Sequence, residues 1–218
     1  MSYLLDGYNW DPADPTSITN LLLAHLSVSG ISLFISLLIA IPIAVLIARS
    51  SRLYVIVVST AGVLYTIPSL AFFAFLVPFT GLSAATVIIP LVVYNQLVLI
   101  RNTVAAIRSV DPALIEVGRA MGMNPLQVQV RVVWPLALPV MIAGFRVATV
   151  TTIGIATLAH LVGTDTLGTL IFQGINFART DLIAAGTILV SALAIGADLA
   201  LLGLQALLSR GRSTFAMA

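Results

Sequence analysis

Long stretches of uncharged, mostly apolar residues alternate along the chain with short polar segments. Residues 16–48 and 53–100 carry no formal charge, and a transmembrane helix needs about 20 apolar residues. The second stretch is too long for one span, and the turn sequence VPFTGLS at residues 77–83 divides it. The pattern predicts five transmembrane helices, at residues 21–48, 54–78, 84–100, 140–162 and 182–208.

Two prolines and one connecting loop modify this plan of five spans. Pro68 and Pro90 lie inside the second and third spans, where each is expected to kink or break its helix. Such breaks occur at membrane depth only where neighbouring protein or a water-filled path satisfies the freed backbone groups. Residues 163–180 join the last two spans, and we expect a short loop there that re-enters the membrane at most in part.

The composition supports a membrane protein and excludes other kinds of site. Hydrophobic residues make up 60% of the 218 and charged residues only 8%, against about 25% charged in an ordinary soluble domain. We therefore predict an all-α, polytopic membrane protein. There is no cysteine, which excludes disulfides and thiolate metal sites. The first 15 residues contain three aspartates and no basic region, so we do not expect a secretory signal.

The placement of the arginines predicts the orientation. All ten basic residues are arginines, and loops rich in basic residues stay on the cytoplasmic side. With the N-terminus outside, Arg179 is external and Arg146 lies near or within the fourth span. The remaining eight are then cytoplasmic: Arg49, Arg52, Arg101, Arg108, Arg119, Arg131, Arg210 and Arg212. We predict residues 1–20 outside and residues 209–218 as the cytoplasmic tail of a multi-pass membrane protein. The arginines form no patch of the kind that binds nucleic acid.

One polar segment, residues 101–134, interrupts the apolar pattern in the middle of the chain. The dipeptide Asp111-Pro112 is a helix start, because aspartate caps the first turn and proline fits its first position. Gly122 is suited to end that helix in the left-handed conformation, and Asn124-Pro125 repeats the start signal. Pro135 should end the helix that follows. We predict two short cytoplasmic helices joined by a tight turn.

The second of these helices rests on a choice between two patterns. Residues 126–132, LQVQVRV, alternate with period two, which by itself favours a strand. A lone strand would have no partner here and Asn-Pro is a helix start, so we predict a helix. The pair has a flank that looks buried, formed by Met121, Met123, Leu126 and Val128. Methionines suit an adaptable interface, and we interpret the segment as a docking element. The alternative is an ordinary arginine-rich loop.

Part of this segment resembles a known family signature. Glu116, Gly122 and the closing Leu138-Pro139 match the EAA…G…LP pattern of permease subunits in ATP-binding-cassette (ABC) importers. The wider chain is similar to permeases of osmoprotectant importers, which carry glycine betaine, choline or carnitine. The similar stretches are TIPSLAFFAFLVPFTG, LIRNTVAAIRSVDPALIEVGRAMGM, WPLALPVMIAGFRVATV and IATLAHLVGTDTLGTLIFQGI. The resemblance covers about residues 21–208.

The resemblance implies a fold, a mechanism and a set of partners. It implies the type I (MetI-like) permease fold, in which the segment around Glu116 and Gly122 forms coupling helices that dock in a groove of a cytoplasmic ATPase. Two ATPase subunits would drive two permease subunits, identical or homologous, between inward- and outward-facing states. An external binding protein would deliver the substrate. The chain would be a transporter subunit of a prokaryotic cell membrane and not an enzyme. The implied coupling residues are Glu116, Gly118, Arg119, Ala120, Met121, Gly122, Met123, Asn124 and Pro125.

The chain departs from the family pattern at two places. Glu116-Val117-Gly118 stands where Glu-Ala-Ala is common, and a glycine there is expected to soften the first coupling helix. Asp165 stands in the glycine-rich turn of residues 163–168, where a small residue is usual. This second departure puts in doubt any carry-over about how that external turn meets the binding protein.

Two charged residues lie within the predicted spans. Asp198 lies twelve residues before Arg210, and Arg146 lies seven residues beyond Pro139, at a comparable depth from the same side. Intramembrane charges are costly and are usually paired or functional. We hypothesise that Arg146 and Asp198 approach each other near the cytoplasmic gate. The alternative is that Arg146 reaches up to the interface while Asp198 faces a wet cavity.

The sequence from residue 65 to 69, Tyr-Thr-Ile-Pro-Ser, is the best candidate for part of the pathway. Pro68 frees a carbonyl group and the hydroxyl side chains are polar, so Tyr65, Pro68 and Ser69 join Arg146 and Asp198 as pathway or gate candidates. Aromatic residues in this region could cage a quaternary ammonium group: Tyr65, Phe72, Phe73, Phe75 and Tyr94. Aromatic residues in spans are mostly packing or interface anchors, and we interpret these five in that way.

No catalytic, metal or cofactor chemistry is predicted. His25 and His160 are single histidines without ligand partners nearby in the sequence. There is no Gly-x-x-x-x-Gly-Lys motif for ATP, and no HExxH helix or Gly-x-Ser-Gly loop of a membrane enzyme. Two alternatives stay open: a methionine-type ABC importer permease, and a membrane channel or structural subunit without an ATPase partner.

Overall fold

The computed structural model describes residues 2–209, and every regular element in that range is helical. The all-α prediction is therefore confirmed. The helices are α1 (Ser2–Leu5), α2 (Ile18–Ile47), α3 (Ser51–Tyr65), α4 (Ser69–Thr80), α5 (Ala84–Arg108), α6 (Pro112–Ala120), α7 (Pro125–Val128), α8 (Trp134–Ala156), α9 (Gly168–Asn176) and α10 (Thr180–Ser209). Arg210, Arg212 and the rest of the predicted tail lie outside the described residues, and the orientation of the termini stays a prediction.

Four continuous helical segments are long and apolar enough to cross a membrane: Ile18–Ile47, Ala84–Arg108, Pro125–Val162 and Thr180–Ser209. The pair α3 and α4 passes the same test only together, because it is bent by 87° at the short break between its helices. Counting that pair as one broken span gives the five predicted crossings. The polytopic membrane architecture is thereby confirmed.

The first span begins at Ile18, three residues before the predicted start, because the preceding segment caps it. The hydroxyl of Ser17 accepts a hydrogen bond from the Asn20 backbone N–H at 3.3 Å. The Asn20 side-chain amide donates to the carbonyl oxygens of Pro12 and Asp14 at 2.9 and 2.8 Å. The N-terminal segment is thus folded against the end of its span.

The helix is broken at Pro68, as predicted, whereas it is not broken at Pro90. Helix α3 ends at Tyr65 and α4 begins at Ser69, with Pro68 as the residue before its first turn. Pro90 lies buried inside α5, which runs through it without interruption. The difference follows from the neighbours of each proline. At Pro68 a polar side chain satisfies a freed backbone group, because the Tyr94 hydroxyl donates to the Ile67 carbonyl at 2.8 Å.

Helix α5 continues to Arg108, eight residues beyond the predicted end of its span. Its last turns are held by packing and by one arginine. Thr103, Val104 and Ala106 are buried, and the Arg108 Nε donates to the Ala48 carbonyl at 2.9 Å where α2 ends. The segment between α5 and α8 is therefore residues 109–133, which we call the elbow, and it is shorter than the predicted polar segment of residues 101–134.

Helix α7 does not end at Pro135 as predicted. It continues through a π-helical turn, Gln129–Val133, into α8, whose first turn contains Pro135. The Trp134 N–H donates to the Gln129 carbonyl, five residues back. This wider turn makes room for the ring of Pro135, which has no backbone N–H to donate. The helix predicted for residues 126–132 is confirmed over the strand. The second of the two predicted coupling helices is thus continuous with the fourth span.

Helices α2, α5 and α8 form the centre of the bundle. Their apolar side chains make continuous clusters on both sides of a small polar group. In that group the Asn95 side-chain amide donates to the hydroxyls of Ser36 and Thr152, at 3.3 and 2.9 Å. One side chain from each helix is involved, so the group fixes how the three helices are placed against one another.

The connection between the last two spans is more ordered than the predicted loop. It contains helix α9, which packs against the first turns of α10 through glycines. A Cβ on Gly168 would lie only 1.9 Å from the Thr157 carbonyl oxygen, and one on Gly174 would lie 2.6 Å from the Ile183 side chain. The close approach that these glycines permit explains why this connection forms a packed helix.

Candidate functional site

The elbow is closed by the local signals that the sequence predicted. The Asp111 carboxylate accepts from the Ala113 N–H at 2.9 Å and caps α6. Gly122 ends α6 with a φ of +83°. At that end the Met123 N–H donates to the Gly118 carbonyl at 3.1 Å, a bond that ends many helices with a left-handed glycine. Gly122 is therefore confirmed as the turn residue.

A reciprocal cap begins the second helix of the elbow. The Asn124 side-chain carbonyl accepts from the Gln127 N–H at 2.8 Å, and the Gln127 side chain accepts from the Asn124 N–H at 2.9 Å. This is a capping box. The role of Gln127 escaped the sequence interpretation, although the spacing Asn-x-x-Gln is a recognisable signal for it.

The elbow has a small hydrophobic core of its own, which joins it to the spans on both sides. The buried members are Ala106, Val110, Val128, Val133 and Ala137. Gly118 faces this core, and a Cβ placed there would lie 3.4 Å from Val132 and 3.6 Å from Val128. Because the members of this core come from α5, α7 and α8, the elbow is packed against the bundle and is not a free loop.

The outer surface of the elbow is apolar and open. Met121 and Leu126 are each 72% exposed, and Val117 is 55% exposed. Of the flank described from the sequence, Val128 is buried within this chain, Met123 is half-buried, and Met121 and Leu126 are open to a partner. A shallow groove of about 650 Å³ runs beside Met121, between α6 and the start of α8. The other predicted coupling residues, Glu116, Arg119, Ala120, Asn124 and Pro125, are all exposed.

The second predicted feature is an ion pair between the fourth and fifth spans. The Arg146 Nε donates to Asp198 Oδ1 and the Arg146 Nη2 donates to Asp198 Oδ2, both at 2.8 Å. Arg146 Nη1 donates to the Gln205 side-chain oxygen at 3.2 Å. The contact hypothesised from the sequence is confirmed. Its role in a gate stays a prediction.

The residues around the broken span form a third feature. Tyr65, Ser69, Tyr94 and the Ile67 backbone line a cavity of about 180 Å³ at the bend between α3 and α4. The Tyr65 and Tyr94 rings lie 5.7 Å apart at 77°. Pro68, which precedes α4, makes the bend possible. Of the aromatic residues discussed above, Phe73 is fully buried packing.

The two histidines occupy structural positions. His25 is buried, and its Nε2 lies 3.1 Å from the Ile153 carbonyl oxygen. His160 Nδ1 lies 3.3 Å from the Asp165 carboxylate, which also accepts from the Thr169 hydroxyl at 3.1 Å. Asp165 thus stabilises the turn of residues 163–168, at a position where a small residue is usual. Within residues 2–209, no group of three or more His, Asp or Glu is placed to hold a metal ion.

These features fit a family found by comparison of the sequence. Residues 31–214 match the family described as "Binding-protein-dependent transport system inner membrane component". The chain belongs to this family. It is accordingly a multi-pass permease subunit of an ABC importer in the cell membrane, not an enzyme. Its family works with an ATPase, a substrate-binding protein and a second permease.

Curated relatives in this family extend over most of the chain. The chain is 41% identical over 177 residues to the carnitine transport permease protein OpuCB of Listeria monocytogenes, covering 81% of each chain. It is 38% identical over 175 residues to the choline transport system permease protein OpuBB of Bacillus subtilis, covering 80% of each. It is 32% identical over 215 residues to the osmoprotectant import permease protein OsmW of Salmonella typhimurium, covering 95% of each.

Solved structures support the fold. The MetNI methionine ABC transporter, in an inward-facing conformation, matches with a TM-score of 0.77 and 22% sequence identity, covering 88% of this chain and 95% of that chain. An amino acid ABC transporter solved with histidines matches with a TM-score of 0.65 and 19% identity. The type I permease fold predicted from the resemblance is confirmed.

Proposed function

We propose that the chain is the permease subunit of an ATP-driven importer of osmoprotectants, and that it forms half of the pathway for a small quaternary ammonium compound. The support for the substrate class comes from the relatives, whose names specify carnitine, choline and glycine betaine. A methionine-type permease shares the fold but not this sequence similarity, since the methionine transporter is only 22% identical.

The elbow is the observation that carries the coupling mechanism. Its exposed surface, Val117, Met121 and Leu126, is apolar and fits a groove of a cytoplasmic ATPase subunit. Its core is shared with α5 and α8, and α7 runs through the π-helical turn into α8 without a break. A force applied to the elbow is therefore transmitted to a transmembrane helix as rigid-body motion.

The arrangement of partners follows from this role. Two ATPase subunits each engage one elbow, and the second permease subunit, identical or homologous, supplies the other half of the pathway. This places the elbow in the cytoplasm and residues 1–20 outside, where a binding protein delivers the substrate. The arginines of the elbow, Arg119 and Arg131, agree with that orientation.

Reconstitution of the importer tests the proposal. The chain is purified with its ATPase and binding protein, placed in liposomes, and supplied with labelled glycine betaine, choline, carnitine or methionine. We expect ATP-dependent uptake of at least one quaternary ammonium compound and none of methionine. Uptake of methionine alone would establish the other importer type. If no ATPase co-purifies and permeation continues without ATP, the chain is a channel and the proposal is wrong.

A further inference from the structure

Three cavities of the bundle are connected in series by shared lining residues. The first, about 180 Å³, lies at the bend of the broken span and includes Tyr65 and Tyr94. The second, about 420 Å³, includes Tyr65, Arg101 and Val147. The third, about 450 Å³, includes Val147 and the Arg146–Asp198 pair. Because Tyr65 borders the first two and Val147 borders the last two, neighbouring cavities adjoin, and we call the series of three the side groove.

The first cavity of the side groove has the chemistry of a weak cation site. Two tyrosine rings line it at 77° to each other, with centroids 5.7 Å apart, and none of its lining residues carries a formal charge. Ring faces attract cations through the quadrupole of the π-system. The hydroxyl of Ser69 adds a polar atom, and no arginine lies on this cavity to repel a cation.

The Tyr94 ring is buried and held in place, whereas the Tyr65 ring is exposed. Tyr94 is only 4% exposed, and its hydroxyl donates to the Ile67 carbonyl at 2.8 Å. Tyr65 is 41% exposed and stands between the first and second cavities. One ring is therefore a fixed wall, and the other lies where a molecule moving along the groove would pass.

The size of the cavity matches a headgroup and not a whole drug-sized ligand. Its volume of about 180 Å³ is below the range of about 300–1,000 Å³ usual for ligand pockets. A pathway site must bind well enough to admit its substrate and weakly enough to release it. Two aromatic rings without a carboxylate meet both conditions, since a cation–π contact without a counter-charge is weak.

We propose that Tyr65 and Tyr94 form a transient binding site for the quaternary ammonium headgroup of the substrate within the permease itself. The proposal rests on the proposed function, because it takes the substrate class from there, and it adds a place in the pathway where that class is recognised. It also reverses our interpretation of Tyr94 as a packing residue and gives Tyr65, a pathway candidate from the sequence, a cation-binding role, while Phe73 remains a packing residue.

Saturation-transfer-difference NMR on the purified permease–ATPase complex, without binding protein, tests the site. The probes are choline and its uncharged carbon analogue 3,3-dimethylbutan-1-ol. We expect a signal from choline and a much weaker one from the analogue, with the Tyr65→Phe variant like the wild type. In the Tyr65→Leu variant, choline should bind about 3- to 30-fold more weakly, as expected for loss of a cation–π contact.

A matched control is Phe79→Leu, which removes an aromatic ring from α4 at a side chain that is 74% exposed and does not line the first cavity. It should leave choline binding unchanged. Equal signals from choline and the analogue, or unchanged choline binding in Tyr65→Leu, would overturn the site. Failure of the proposed function is separate, because it would appear in the wild type as absence of quaternary ammonium uptake by the complete importer.

Discussion

The guanidinium of Arg146 and the carboxylate of Asp198 face each other through two parallel hydrogen bonds of 2.8 Å. The pair joins α8, which is continuous with the elbow, to α10, which contributes no member to the elbow core. Arginine forms such two-point contacts with fixed orientation. The last span is therefore joined by this ion pair to the helix into which the elbow continues.

Removal of one member of this pair should impair the transporter more than exchange of both. Asp198→Asn leaves the Arg146 charge within the membrane without its counter-charge, so we expect loss of assembly or of gating. The double variant Arg146→Asp with Asp198→Arg restores opposite charges and should recover part of the lost uptake. The measurements are the yield of assembled complex and labelled uptake in liposomes. If the uptake rate of Asp198→Asn equals that of the wild type, the Asp198 carboxylate is not required for transport.

Gly122 should tolerate asparagine and reject valine or proline. Its φ of +83° lies in the left-handed region, yet no atom lies within 4 Å of where a Cβ would be placed, so the strain comes from the backbone alone. A residue other than glycine costs about 1–2 kcal/mol there, and asparagine costs less than a β-branched residue. Proline also removes the hydrogen bond from the Gly122 N–H to the Arg119 carbonyl, 2.9 Å long.

The readout for Gly122 is ATP hydrolysis stimulated by the loaded binding protein, together with co-purification of the ATPase. We expect both to be lost in Gly122→Val and Gly122→Pro, and to be largely kept in Gly122→Asn. Membrane insertion, measured by fractionation, should be the same in all three variants. Normal transport in Gly122→Pro would remove the elbow from the coupling mechanism.

The elements that could be predicted from the sequence depend on local interactions. The cap at Asp111 and the turn at Gly122 involve residues within a few positions of each other, so their signals are visible in the chain. The π-helical turn that carries the helix past Pro135 is different. It depends on packing of Val128 and Val133 against α5, which no local pattern shows.

Among the long-range contacts between polar groups, some could be predicted from the sequence and others could not. The Arg146–Asp198 pair could be hypothesised because charges at equal membrane depth need partners. The bond from Arg108 to the Ala48 carbonyl could not, since a backbone acceptor leaves no mark in the sequence. The same holds for the bond from Tyr94 to Ile67, which fixes the first cavity of the side groove.

Gly118→Ala should stabilise the elbow. The glycine was expected to soften the first coupling helix, and the structure has room for the alanine that the family pattern favours. A Cβ would make ordinary contacts of 3.4–3.6 Å with Val132, Met123 and Val128. Alanine is favoured over glycine in a helix by about 0.5–1 kcal/mol. The expected result is a higher melting temperature of the purified complex, with uptake kept.

A larger side chain at the same position provides the opposite control. Gly118→Phe cannot fit beside Val128 and Val132 without moving the elbow core, so we expect a lower melting temperature and weaker association with the ATPase. A lower melting temperature in Gly118→Ala as well would mean that the helix needs a flexible residue here, contrary to the packing.

Arg101 should distinguish substrates with a carboxylate from those without one. It is exposed and lines the second cavity of the side groove together with Tyr65. On the proposed route, a cation that leaves the two tyrosines meets this guanidinium next, because Tyr65 and Arg101 line the same cavity. Choline carries only the positive group and is repelled there, whereas the carboxylate of glycine betaine can pair with Arg101. Arg101→Gln should therefore lower the ratio of betaine uptake to choline uptake by about two- to fivefold, the range of an exposed ion pair.

The ratio is measured in liposomes with the same wild-type binding protein throughout, so its own selectivity cancels between variants. Arg52→Gln is the matched control, because Arg52 is also an exposed arginine but does not line the side groove, and it should leave the ratio unchanged. A purely structural role for Arg101 would lower uptake of both substrates equally. In that case the ratio would stay constant, and the carboxylate of the substrate would not meet this residue on its way through the permease.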